Sequence, residues 1–141
     1  MIAGIRPLRS AIVCDASVLA ALVFGESQSD QALVLLRSRR LLAPALLRHE
    51  LAQIAVSKLN RRAQDALLIE AAFAESLRVP LRTIAPSWPE VVQLAREHNL
   101  SAYDASYLQV ALALGVPLAT FDARLAEVAR ALGVLADPTE A

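Results

Sequence analysis

Cysteine is almost absent from this 141-residue chain: Cys14 stands alone. That excludes an internal disulfide and a zinc site built from several thiolates, and leaves Cys14 as a small packing residue at the end of an apolar run. Glycine is scarce too, with four residues and no Gly-rich phosphate loop among them. Two histidines, His49 and His98, lie far apart without zinc-type spacing. No nucleophile elbow supports Ser-His-Asp catalysis. No apolar run reaches the roughly 18 residues of a membrane span, since charge-free windows such as 105–120 contain Ser, Gln, Gly and Pro. The N-terminus, with Arg6, Pro7 and Arg9 before a short apolar run, lacks the hydrophobic segment and cleavage site of a signal peptide. A cytoplasmic protein with no membrane partner is the expectation. Aromatic residues make up 4% of a chain that is 56% hydrophobic, so Ala, Leu and Val must fill the core. One domain of this length can bury a substantial core.

Net charge is zero, yet its distribution is uneven. Residues 37–62 hold Arg37, Arg39, Arg40, Arg48, Lys58, Arg61 and Arg62 against one acid, Glu50. Such a segment is either a solvated helix surface or a phosphate-facing patch, with Arg39, Arg40, Lys58, Arg61 and Arg62 as the candidate contacts.

Local signals predict alternating short strands and helices. Residues 1–10 read as a lead-in and 11–141 as a single domain. Strands are expected at 11–14, 41–43, 81–84, 118–121 and, as a closing edge, 134–136. The first helix starts at Asp15 and stops at Gly25. Ser27 to Asp30 has capping-box spacing ahead of a second helix reaching Ser38. Pro44 opens a helix to Leu59, and another spans 62–76. Ser87-Trp88-Pro89-Glu90 has capping-box spacing, with Trp88 expected to pack at the helix start. Ser101 caps a helix to Leu114 that Gly115 closes, and the last helix spans 122–132. This alternation predicts an α/β fold: three layers, α/β/α, around a short-stranded, mainly parallel sheet, with ligands at the carboxyl ends of the strands.

Four acids stand where carboxylates are least expected. Asp15 and Asp122 directly follow apolar strands. Asp104 opens a helix with no charged residue from 105 to 120, and Asp104, Leu108 and Ala111 lie within about 40° of one helical line. Glu50 sits on the shoulder of the stripe formed by Leu47, Leu51, Ile54 and Ala55. Each acid also has a plain structural role open to it: helix cap for Asp15, Asp104 and Asp122, partner of Arg48 for Glu50. A shared cation would answer the several kcal/mol that an unpaired buried carboxylate costs. Mg²⁺ or Mn²⁺ suits a few carboxylates from different elements. Ser17 and Thr120, two residues from Asp15 and Asp122, place hydroxyls at the same edge, where they could orient a carboxylate or water. Tyr103 and Tyr107 either flank the site or pack in the core or at its rim.

The segments Ile12-Val13-Cys14-Asp15-Ala16-Ser17, Ala43 to Leu51 around Glu50, Leu100 to Leu108 around Asp104, and Leu118 to Leu125 around Asp122 together resemble the PIN-domain nucleases, over roughly residues 11–136. Within them the chain is similar to the VapC-type toxins of type II toxin–antitoxin pairs. The resemblance implies a metal-dependent endoribonuclease using Mg²⁺ or Mn²⁺. Asp15, Glu50, Asp104 and Asp122 would form its acidic pocket, with Asp15, Asp104 and Asp122 toward the metal and Glu50 orienting water. It also implies a homodimer held silent by a small cognate antitoxin. Some members carry a further acid where this chain has Arg124, which bears on whether a second metal is held. Rival readings are a PIN-fold nuclease of RNA maturation and a non-catalytic protein-binding module. A receiver-type phosphoacceptor wants a Lys after a late strand, whereas Lys58 falls inside a helix. A haloacid-dehalogenase-like phosphatase wants Asp-x-Asp, against Asp15-Ala16-Ser17 here.

Overall fold

The computed structural model describes residues 10–138. Of the expected lead-in, residues 1–9 lie outside the described residues. The elements run β1 (Ala11–Cys14), α1 (Ala16–Val23), α2 (Ser29–Leu36), β2 (Arg40–Ala43), α3 (Leu46–Arg61), a 3₁₀ turn (Ala63–Asp65), α4 (Ala66–Ser76), β3 (Leu81–Thr83), α5 (Trp88–His98), α6 (Ala102–Leu114), β4 (Leu118–Ala119) and α7 (Ala123–Ala131). The sheet is wholly parallel in the order β3-β2-β1-β4. It is the middle layer of an α/β/α fold. Helices α1 to α4 pack on one another, while α5 and α7 pack on α6, which lies against β1 and β4.

The apolar runs become strands because a parallel strand covered on both faces can be hydrophobic throughout. Ile12, Val13, Cys14, Leu118 and Ala119 are fully buried. Leu19, Leu47, Leu51, Leu108 and Leu125 bring the helices onto them. Each such leucine contributes roughly 1.5–3 kcal/mol by leaving water. Gly25 and Gly115, at φ +63° and +64°, take the left-handed conformation that ends α1 and α6.

Several boundaries differ from the sequence expectation. Ser27 does not cap α2: the backbone turn from Ser29 N–H to the Glu26 carbonyl satisfies that donor, and the helix starts without a side-chain cap. Ser87 also makes no side-chain cap. Gln109 of α6 takes over instead, accepting from Ser87 N–H (3.0 Å) and donating to the Glu90 carboxylate (2.6 Å). Trp88 is 64% exposed, so it does not serve as a packing residue. β4 is two residues long, and the closing edge shrinks to one bridge from Leu135 to Leu118. Hydrogen bonds from Leu118 N–H to the Val134 carbonyl and from Ala136 N–H to the Leu118 carbonyl hold it.

Candidate active site

Asp15 is the first residue past β1 and the N-cap of α1. Both carboxylate oxygens are engaged. Oδ1 accepts from the Ser17 hydroxyl (2.6 Å) and Val18 N–H (3.2 Å), and Oδ2 accepts from the Thr120 hydroxyl (2.5 Å). The two hydroxyls also accept: Ser17 from Phe121 N–H (2.9 Å) and Thr120 from Asp122 N–H (3.0 Å). The turn after β1 is thereby tied to the turn after β4, and Asp122 is fixed at the start of α7, where it accepts from Leu125 N–H (2.8 Å). Burial pushes the Asp15 carboxyl up to about 6, outweighing the three hydrogen bonds that favour its charge.

Asp104 enters from α6. Ser101 caps that helix by accepting from Asp104 N–H (3.0 Å), which leaves the carboxylate in the first turn. Burial raises its pKa, and the charges of Asp122 and Glu50 raise it further. Glu50 comes from α3. It does not pair with Arg48, whose guanidinium donates to the Ser76 carbonyl (2.8 Å). Its Oε1 accepts instead from the Tyr107 hydroxyl (2.5 Å). Tyr107 is buried, and both burial and this carboxylate hold its hydroxyl protonated far above the usual range.

The four acids line one pocket of about 310 Å³ at the carboxyl ends of β1 and β4, with Ser17, Gln53, Ile54 and Tyr107. No Lys, Arg or His lines it. Of the two tyrosines weighed as flanking the site, Tyr107 lines the pocket and Tyr103 does not, while Gln53 was not singled out as functional from the sequence. The signal was available: Tyr107 is one turn on from Asp104, and Gln53 one turn on from Glu50.

This donor set fits a hard divalent cation. It offers carboxylate oxygens without nitrogen or sulfur, two of the carboxyls have pKa values raised by burial and like charge, and no basic side chain is present to neutralise them. Among the described residues, no group of three or more Asp, Glu, His or Cys side chains is arranged to hold a metal ion directly. An open pocket suits an ion that keeps several of its waters. At the position where a further acid was considered, Arg124 donates to the His98 carbonyl and stands 3.4 Å from Glu127.

The basic candidates divide. Lys58 is buried with its Nζ 2.7 Å from Glu26 and above the Phe24 ring, so it is already paired and turned away from phosphate. Arg39 and Arg40 lie by the amino ends of β1, β2 and β3, opposite the acids. Arg61 and Arg62 are exposed at the end of α3, roughly 16 Å along the helix from Glu50.

A PIN-domain family model matches residues 12–131. The VapC ribonuclease of Mycobacterium bovis and ribonuclease VapC9 of Mycobacterium tuberculosis are each 36% identical over 113 residues, covering 77% of this chain and 84% of theirs. Among solved structures, PAE2754 of Pyrobaculum aerophilum superposes with TM-score 0.68 at 26% identity, covering 84% of this chain and 78% of that one. VapC20 of M. tuberculosis, described as a toxin that cleaves the sarcin-ricin loop, superposes with TM-score 0.62 at 22% identity, covering 89% and 97%; at that identity the likeness speaks for fold alone.

Proposed function

The chain belongs to the PIN-domain family, and from that premise we propose that it is the endoribonuclease of a toxin–antitoxin pair, hydrolysing RNA phosphodiester bonds with Mg²⁺ or Mn²⁺. One observation carries the reading: Asp15, Glu50, Asp104 and Asp122, from four separate parts of the chain, line a single pocket without a counter-charge. The partners in this reading are an RNA, a small cognate antitoxin and a second copy of the chain. Leu67 and Leu68, 83% and 72% exposed on α4, offer a protein partner apolar surface to cover.

Asp15, Asp104 and Asp122 would hold the cation. When bound, such an ion supplies an acidified water and offsets charge developing on the phosphate. Ser17 and Thr120 fix the Asp15 carboxylate through both oxygens, so it need not reorganise as the substrate arrives. Tyr107 occupies Oε1 of Glu50, a residue that lines the pocket, so the other oxygen would be the one to take a proton from the attacking water. Arg61 and Arg62 lie where the RNA backbone could extend past the pocket along α3.

The test is cleavage of end-labelled transfer and ribosomal RNA, with Mn²⁺ or Mg²⁺ against EDTA. Discrete metal-dependent cuts are expected, lost in Asp15→Asn and in Asp104→Asn while both variants stay folded. Cuts at the original rate from Asp104→Asn would overturn the assignment.

A further inference from the structure

A groove of about 710 Å³ lies toward the opposite end of the sheet from the acids. It opens beside the amino ends of β1 and β2, along β3 and under the C-terminal end of α6. It shares no lining residue with the acidic pocket. Its floor is aliphatic, formed by Leu42, Ile84, Leu114 and Val116, and Leu114 is 47% exposed. Arg39, Arg40 and Arg82 line it; Arg40 is already engaged, and among the described residues Arg39 and Arg82 form no ion pair with an acid.

We infer that this groove is a docking site for an acidic, leucine-rich segment of a partner protein, separate from the nuclease pocket. Charge selects the occupant: two arginines flanking an aliphatic floor are satisfied by carboxylates on a chain whose other side chains are apolar. Residues 1–9 carry Arg6 and Arg9 and no acid, so they do not supply that charge. RNA fits less well, because no aromatic ring lines the groove and single-stranded nucleic acid sites combine positive charge with stacking platforms. The backbone adds a further feature. β3 is an edge strand, and among the described residues its outer side makes no backbone hydrogen bond, so an extended segment laid beside it can pair with the sheet.

The test is fluorescence polarisation of a labelled eight-residue peptide alternating leucine and glutamate, titrated with the full chain in EDTA. EDTA removes the metal, so the result is independent of the nuclease reading. Saturable binding is expected below roughly 100 μM. It should weaken at least about tenfold in Arg39→Glu/Arg82→Glu and in Leu114→Asp, as loss of a buried charge pair or apolar contact implies. The double arginine variant should instead bind the peptide in which lysine replaces glutamate. Absence of saturation, binding indifferent to the arginine reversals, or displacement of the peptide by an equal concentration of a single-stranded RNA decamer would each overturn the proposal.

Discussion

Asp15 must be charged to attract a cation, yet its surroundings favour the proton. Burial lifts its carboxyl to about 6 in the folded protein, above the 3.8 of a free aspartate side chain. Between those values the folded protein holds a proton that the unfolded chain has released, so this residue's contribution to stability falls as pH rises from about 4 to 6. The loss reaches about 3 kcal/mol by neutral pH. Asp15→Asn keeps the cap but cannot ionise. Denaturant titrations in EDTA should show the variant gaining on the parent across that window, by up to about 3 kcal/mol at pH 7. A constant difference between pH 4 and 7 would contradict the burial argument. Tyr107 acts through Glu50. Tyr107→Phe should lower kcat roughly 10- to 100-fold, the range for partners that orient a reacting group, with KM for RNA little changed. Added to Glu50→Gln it should cost almost nothing more, while its effect should add to that of Arg61→Ala. Full additivity with Glu50→Gln would make Tyr107 a packing residue only.

At the scale of elements, Gln109 shows one helix substituting for a missing cap on its neighbour. Gln109→Ala removes the acceptor of Ser87 N–H and the donor to the Glu90 carboxylate, both on exposed residues, and should lower stability by about 0.5–1.5 kcal/mol while the activity of the folded fraction persists at low temperature. Along α3, residues close in sequence should behave differently. Removing the charges of Arg61 and Arg62 should reduce the slope of log affinity for RNA against log salt by up to about 2, whereas Lys58→Met should leave the slope unchanged and alter stability instead. The cause is the ion pair of Lys58 with Glu26, which already neutralises that charge. Equal slope changes in both variants would place Lys58 in contact with phosphate.

For the whole molecule, a cation that binds only the folded state should raise stability by about 2.7 kcal/mol at one hundred times its dissociation constant. Thermal melts with and without Mn²⁺ should show that gain in the parent and not in Asp104→Asn. The architecture was legible because strands and helices differ in period and because Asp15, Ser101, Asp122 and Gly115 act locally as caps and stops. The gathering of the four acids followed from topology, since strand ends in a parallel sheet share an edge. What sequence could not reveal depends on distant partners. The hydroxyl holding Glu50 belongs to Tyr107, 57 positions away, and Lys58 looked available to phosphate until Glu26 appeared beside it. Ser27 and Ser87 read as caps, but α2 and α5 start without a side-chain cap; a backbone turn bonds Ser29 N–H, and Gln109 accepts from Ser87 N–H.

The hydrogen bond from Thr120 to Asp15 joins residues 105 positions apart. Ribosomes add roughly 5–20 residues per second, so Asp15 waits about 5 to 20 seconds during synthesis for the residue that orients it. A chain that ends before Asp104 lacks two of the four acids of the pocket and the hydroxyl of Thr120. On the proposed reading, cleavage of RNA, including the message being translated, waits until Asp104, Thr120 and Asp122 have been added.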